Sequence, residues 1–354
     1  VVDDLPGWAE AHDLAVVELA PESTRPRTPA TALGTPLPIF TENARAHSPR
    51  RTLVGLPDGR LRGRYGLVVL PDGAFAAEAV YGRSHLEAQP DFVRPVPREA
   101  QRIRGDVCTL VGEFSGRGNW FHWVHDGLLR LDGLAQHLPR GTRFAVHDGS
   151  DGFEAETLRM VGIPEDRILP FHHDDTWVCD RLWFASHPAW TSTDPEAGRR
   201  LRKRLLAAAG VTRTNPARRL YVSRSDCLHG RVVDEVALGP VLERHGFEVV
   251  HPRTSTVAEQ IRLFAEAEVV VGPTGAGFTN LLFADPSTRV LEILEPTWAQ
   301  RDGHIVWSCL EFLGQPYAYV VGRTVANPDR PERANLSIDP EALDGALTDW
   351  LGRP

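Results

Sequence analysis

The sequence predicts an α/β protein: two α/β units in series, preceded by an N-terminal β-rich region. Three observations predict this. Strand-like and helix-like segments alternate between Asp106 and Ala185, a βαβαβ pattern that goes with a parallel sheet and crossover helices. The alternation returns, with clearer capping and turn signals, from Leu220 to Leu294. Ahead of both, from Arg51 to Arg83, short apolar runs alternate with Pro-Asp-Gly, which marks tight turns between antiparallel strands. A length of 354 residues fits about two domains.

In chain order, residues 21–50 are rich in Pro, Thr and Arg. They read as extended or irregular chain, because proline fixes φ and removes a donor. Turns follow at Leu56-Pro57-Asp58-Gly59 and Leu70-Pro71-Asp72-Gly73. Residues 1–104 are expected to pack as a β-rich region on a first domain of residues 105–211. There Val107 to Val111 reads as a strand, and Asn119 caps a helix to about His137. Trp120, Val124, Leu128 and Leu131 would form its apolar stripe. Phe144 to His147 is a strand, Glu154 to Val161 a helix and Leu182 to Ala185 a strand. Thr191 to Arg204 begins a further helix, and Thr212 to Arg218 reads as a linker.

The second domain is expected over residues 212–335. Leu220 to Ser223 is a strand, Val232 to Arg244 a helix closed by Gly246, and Phe247 to Val250 a strand. Thr256 and Glu259 make a capping box for a helix to Ala267. Val269 to Val271 is a buried strand, since three consecutive β-branched residues leave no polar face. Gly275-Ala276-Gly277 opens a short helix through Phe283, and Val290 to Leu294 is the next strand. Residues 336–354 form a C-terminal helix, capped by Asp339 with Pro340 first, which docks through Leu343, Leu347 and Trp350.

Composition excludes several classes. Hydrophobic residues make up 42% and charged residues 24%, ordinary for a folded domain. A formal net charge of -8 argues against a general nucleic-acid binder, so any anion site is local. The four cysteines lie far apart, with neither a zinc-type CxxC pair nor a disulfide framework. Val1 to Leu19 is acidic and patchily apolar, unlike a signal peptide, and no run of 18 apolar residues suggests a membrane span. A cytoplasmic enzyme is the expectation.

Five segments carry chemistry. Val269 to Asn280 takes a buried strand into Gly272-Pro273-Thr274-Gly275-Ala276-Gly277. Unpaired amides at a helix start, approached closely past glycines, suit a phosphate. Asn280 stands where a dinucleotide fingerprint has its third glycine, which disfavours NAD. Arg218-Arg219-Leu220-Tyr221-Val222-Ser223-Arg224, followed by Arg231, offers guanidinium forks for the same anion. Arg218 reads equally as a solvated basic edge. In Asn119-Trp120-Phe121-His122-Trp123-Val124-His125-Asp126, His122 and Asp126 fall one turn apart. They suit either proton abstraction or a structurally pinned histidine. Phe171-His172-His173-Asp174-Asp175 invites a metal, but contiguous residues seldom converge on one ion, and a solvated loop is preferred. Glu292, alone in an apolar strand, needs a partner: a structural donor or a ligand hydroxyl such as a ribose.

The ordered set of these pieces resembles glycosyltransferase family 61. The matching residues are Ser223-Arg224, Arg231 before Asp234-Glu235, Gln260 in Glu259 to Phe264, Gly272 to Asn280, Leu282-Phe283 and Leu291-Glu292. The Asn119 to Leu131 segment resembles the family's aromatic His-Trp-x-x-Asp stretch. The resemblance covers about residues 105 to 320, and the first hundred residues show none. It implies a GT-B-like fold, two Rossmann-like domains facing a cleft, with the nucleotide mainly on the C-terminal one. It implies inverting transfer of a hexosyl or pentosyl unit from a nucleotide-sugar donor to a hydroxyl of a small-molecule or glycan acceptor. No cofactor and no obligatory metal are expected.

Under that resemblance Arg224, Arg231 and the amides of Gly275, Ala276 and Gly277 hold the diphosphate, with Ser223, Thr274 and Asn280 in the same site. Glu292 is a candidate ribose ligand. Asp126 is the preferred base, His122 its partner or alternative, and His125 an outside candidate. Two departures stand out. Thr274 replaces a common histidine, and Asp234 a usual asparagine, which adds negative charge near Arg231. Competing readings are a nucleotide-sugar epimerase-like enzyme and a non-catalytic carbohydrate-binding homologue.

Overall fold

The computed structural model describes residues 1–88, 96–114, 118–148, 152–187, 191–227, 230, 232–329 and 334–353. The chain divides into two compact units, residues 1–23 with 47–189, and residues 24–46 with 190–354. Residues 190–211, read from sequence as the end of the first domain, thus lie in the second unit. So do residues 24–46 of the N-terminal region.

The first unit is built on an eight-stranded mixed sheet. Its path runs Ala15–Ala20, Arg51–Pro57, Thr176–Ala185, Gln101–Thr109, Arg143–His147, Ile168–Phe171. The first two pairings are antiparallel and the last three parallel. The βαβαβ expectation therefore describes one half of the sheet, and the N-terminal strands complete the other. The turn at Asp58-Gly59 differs from expectation. The strands on either side of it, Arg51–Pro57 and Arg60–Arg62, pair with Thr176–Ala185 rather than with each other. Phe184, Leu182, Val107, Leu56 and Leu61 fill the core.

The expected helix from Asn119 to His137 is broken. It consists of an α-turn Trp120–His122, a π-turn Trp123–Gly127 and 3-10 turns Leu128–Leu131 and Leu134–Gln136. Two glycines account for this. A Cβ on Gly127 would lie 2.8 Å from Trp123 Cε3, so the chain comes closer to that indole than another residue allows. Gly133 takes φ +80°, a left-handed conformation that ends helices.

The second unit has a six-stranded sheet, parallel throughout. Its order is Phe247–Val250, Arg218–Val222, Ala267–Pro273, Arg289–Leu294, Tyr317–Val321 and, from the N-terminal region, Thr31–Ala32. Val269, Val270 and Val271 are fully buried, as a strand covered on both faces requires. Leu343, Leu347 and Trp350 dock the helix Pro340–Gly352 onto this core. The strand Asn335–Ser337 precedes that helix. Two further helices differ from expectation. Val232 to Arg244 is a 3-10 turn Glu235–Leu238 followed by a helix Gly239–Arg244, because Pro240 cannot donate and opens a new helix instead. The segment Ala276–Phe283 is a 3-10 helix.

From Arg218 onward, the first three strands of this sheet in chain order stand second, first, third across it. The order therefore reverses between Arg218–Val222 and Ala267–Pro273. The crevice beyond the carboxyl ends of strands at such a reversal is where open parallel sheets bind ligands. Among the described residues no helix is long and apolar enough to cross a membrane.

Candidate active site

In the second unit, Arg224 leaves the first strand at the reversal point, and the glycine turn leaves its neighbour. Arg224 Nε donates to the Gly230 carbonyl at 3.1 Å. Its guanidinium rests on Gly275, where a Cβ would fall 1.7 Å from Nη1. A Cβ on Gly272 would meet the Val222 carbonyl oxygen at 2.6 Å, and one on Gly277 would meet Val222 Cγ1 at 2.9 Å. Gly275 has φ 170°, ordinary extended backbone, so its requirement is room and not handedness. Three glycines thus bring the turn against the strand exit and lay an arginine along it. Ser223 is a brace: its hydroxyl donates to Glu235 Oε2 at 2.5 Å, while Tyr221 donates to Oε1 at 3.0 Å.

Several candidates are placed otherwise. Asn280 is fully buried, and its Nδ2 donates to Gln260 Oε1 at 2.9 Å, a tie between helices. Glu292 is fully buried, and its Oε2 accepts from the Tyr317 hydroxyl, so the structural donor of the two alternatives is present. Burial pushes the Glu292 carboxyl up to about 7, against the opposing pull of the Tyr317 and Thr274 hydroxyls. Thr274 is half-buried, with its amide donating to the Ile293 carbonyl at 3.1 Å. Arg218 pairs with Glu248 and Glu266 at 2.5 and 3.2 Å, at the opposite end of its strand from the crevice, which fits the basic-edge alternative. Arg231 lies outside the described residues.

Sequence reasoning missed a third contributor to this corner, the loop after Phe247–Val250. The Ser223 amide donates to the Val250 carbonyl at 3.0 Å. Pro252 Cγ would lie 3.8 Å from a Cβ on Gly277. Burial pushes the Cys227 thiol up, and the charges of Arg224 and Arg253 oppose that rise, so both cations stand near it. The available signal was positional: His251-Pro252-Arg253 directly follows a parallel strand.

In the first unit, Asn119 Oδ1 accepts from the Phe121 and His122 amides at 3.1 and 3.4 Å. This cap fixes the start of the irregular helix. His122 Nδ1 then lies 2.7 Å from Asp126 Oδ2. The His122 side chain is 12% exposed and that of Asp126 2%. Burial alone would raise the Asp126 carboxyl. The hydrogen bond from His122 and the nearby His122, His125 and His187 outweigh it and hold the group below its ordinary value. An ionised Asp126 makes Nδ1 the donor, so proton uptake falls to Nε2. This is the geometry of an oriented general base. His125 is buried and stacks on Phe121 at 5.4 Å between ring centroids.

Around this pair stand groups that no local sequence signal marks. Tyr81, at φ 62°, is held in a left-handed conformation unusual for a bulky residue. Its ring lies 5.2 Å from His187 and 6.2 Å from Phe114, and Phe114 lies 4.6 Å from His122. His85 Nε2 is 2.6 Å from Glu113 Oε2. These residues are distant in sequence and meet only through the fold. In the loop after Phe171, donor atoms of His172, His173 and Asp174 lie within 4.8 Å of one another. His173 is exposed and its two neighbours half-buried. Asp175 beside them pairs with Arg98 at 2.9 Å.

Residues 120–291 match the family model described as Glycosyltransferase 61. The match takes in both the His122–Asp126 pair and the Arg224–Gly275 corner. A rice protein (Oryza sativa subsp. japonica) named beta-1,2-xylosyltransferase RCN11 is 41% identical over 56 residues, 15% of this chain and 10% of that protein. The chain thus aligns with about a tenth of the length of that relative.

Proposed function

Residues 120–291 are a glycosyltransferase family 61 segment, and from that premise we propose that the protein is a nucleotide-sugar-dependent glycosyltransferase. It moves a hexosyl or pentosyl unit to a hydroxyl of a small-molecule or glycan acceptor, with inversion and without an obligatory metal. A GT-B-like fold belongs to this proposal. The contact that carries it is the Arg224 guanidinium resting on Gly275 at the sheet's reversal point. A fixed cation and the turn's backbone amides in one corner suit a diphosphate.

In the proposed reaction the acceptor oxygen forms a bond to the anomeric carbon as the bond from that carbon to the diphosphate oxygen breaks. The acceptor's proton passes to His122 Nε2, with Asp126 holding the ring and stabilising the imidazolium. The negative charge left on the diphosphate is met by Arg224 and the amides of Gly275 to Gly277. Arg231 and Thr274 belong to the same proposed cradle. The burial of Asp126 makes His122 the atom-level base of the pair in this proposal. A thermal-shift screen of nucleoside diphosphates and nucleotide sugars tests it, since a ligand of the folded state raises the melting temperature. No stabilisation by any of them, at millimolar concentration, counts against it.

A further inference from the structure

Four residues after Asp126 stands Arg130, whose side chain is wholly buried. Its Nε donates to the Ala185 carbonyl at 2.9 Å, and its guanidinium carbon lies 5.0 Å from the centre of the Phe184 ring. Nη1 and Nη2 are buried with no hydrogen-bond partner among the described residues. A buried guanidinium with no hydrogen-bonded carboxylate among the described residues is costly to keep. The adjoining His122–Asp126 pair supplies a reason to keep it. A carboxylate beside an imidazole favours the protonated ring. A base held in that state cannot accept a proton, and the fixed positive charge of Arg130, which interacts with Asp126, opposes this.

We propose that Arg130 is a positioning residue for the His122–Asp126 pair: a fixed buried charge that keeps Asp126 ionised and opposes protonation of the His122 ring. The inference rests on the proposed role of that pair as the base.

The groups facing this charge are consistent with its being the fixed one. Burial pushes Arg130 itself down to about 10, which leaves it charged at neutral pH. Cys108, on the strand Gln101–Thr109, is pushed up by burial to about 12 and stays a neutral thiol. Burial and the Asp126 charge push the Tyr81 phenol well up, so it too is neutral. His187, after the strand Thr176–Ala185, is pushed down to about 3 by burial and then by Arg130, and stays uncharged. Arg51, on the strand Arg51–Pro57, is engaged by Asp132 at 3.2 Å and by the Leu129 carbonyl at 3.1 Å. His125 lies on the same helical turn as Asp126. Glu113 is held by His85.

The test is a pH titration of the His122 ring resonances by NMR in the full chain, assigned with His122→Gln, alongside the pH profile of nucleoside diphosphate release. Loss of the charge in Arg130→Met or Arg130→Gln should move both midpoints up by about one pH unit, and Arg130→Lys should restore most of that shift. A folded neutral variant with unmoved midpoints overturns the inference. Should both neutral variants fail to fold, the native protein decides. Its midpoint should be nearly independent of salt between 0.05 and 0.5 M, because a buried charge is little screened, and a midpoint that follows salt overturns the inference. The two failures are separable. If His122→Gln still turns over, the base assignment falls. If it does not, and the Arg130 variants keep the native profile, only this inference falls.

Discussion

His122 and Asp126 meet at 2.7 Å across one turn of a helix that is not regular. Asp126 is buried and ionised, so His122 Nδ1 donates and Nε2 is left to take a proton. Asp126→Asn removes the charge and lets the amide donate to Nδ1, which puts the imidazole proton on the wrong nitrogen. Turnover should fall about 10²- to 10⁴-fold, while nucleotide binding in the second unit is retained. Steady-state rates with a nucleotide thermal shift on the same sample check this. Unchanged turnover would remove the pair from the chemistry.

Gly275→Ala should act through Arg224. The new methyl falls where Nη1 now lies, and the far end of an arginine can move aside, so the fold should survive. Nucleotide diphosphate affinity should drop about tenfold, the equivalent of ~1.4 kcal/mol. Arg224→Ala should drop it at least as far. The two losses should not add, because both remove one guanidinium from one place. Calorimetric titration of the two variants and the double variant measures the coupling, and full additivity would show that the glycine serves some other end.

Both of these sites were visible in the sequence to different degrees. The helix period put His122 and Asp126 together, and Asn119 capped the segment as its residue type suggests. The period could not reveal that Gly127 closes onto Trp123 and breaks the helix there, since only the packed indole makes that glycine necessary. The consecutive valines Val269 to Val271 announced a central strand, and the sheet order then turned the glycine turn and Arg224 into one corner. Arg253 carries no such signal, because the strand before its turn, Phe247–Val250, becomes a neighbour only once the order is known. Tyr81, His85, Glu113 and His187 reach the first unit's site from separate elements. No local pattern encodes that meeting. Asn280 shows the converse, a residue in a recognisable motif that the fold uses as a tie to Gln260.

Glu292 gives a pH test of folding. Burial raises its carboxyl to about 7 in the folded protein, against about 4.3 in an unfolded chain. The native state therefore holds a proton that the unfolded state has lost, and stability falls as pH rises between those two values. The loss should total about 3–4 kcal/mol and level off above pH 7. Glu292→Gln, which can still accept from Tyr317, should flatten that part of the curve and gain on the native protein at pH 8 relative to pH 5. Urea unfolding at the two pH values measures the difference. An equal offset at both would mean that the carboxyl does not titrate in this range.

Gly127→Ala joins the fold to the chemistry. The added Cβ would lie 2.8 Å from Trp123 Cε3. The indole has little room to yield: it is 1% exposed, and its Nε1 donates to Thr157 Oγ1 at 2.8 Å. The backbone of the π-turn must shift instead, at a cost of about 1–3 kcal/mol. Asp126 immediately precedes the strained residue, so the 2.7 Å contact with His122 lengthens with that shift. Turnover should fall well beyond what the lost stability explains at a temperature where the variant is fully folded, and nucleotide affinity should hold. Relief by Trp123→Phe in the same chain, which removes the clashing ring edge, would identify the close approach as the cause. A Gly127→Ala enzyme with native turnover would show that the irregular turn is not what sets the pair.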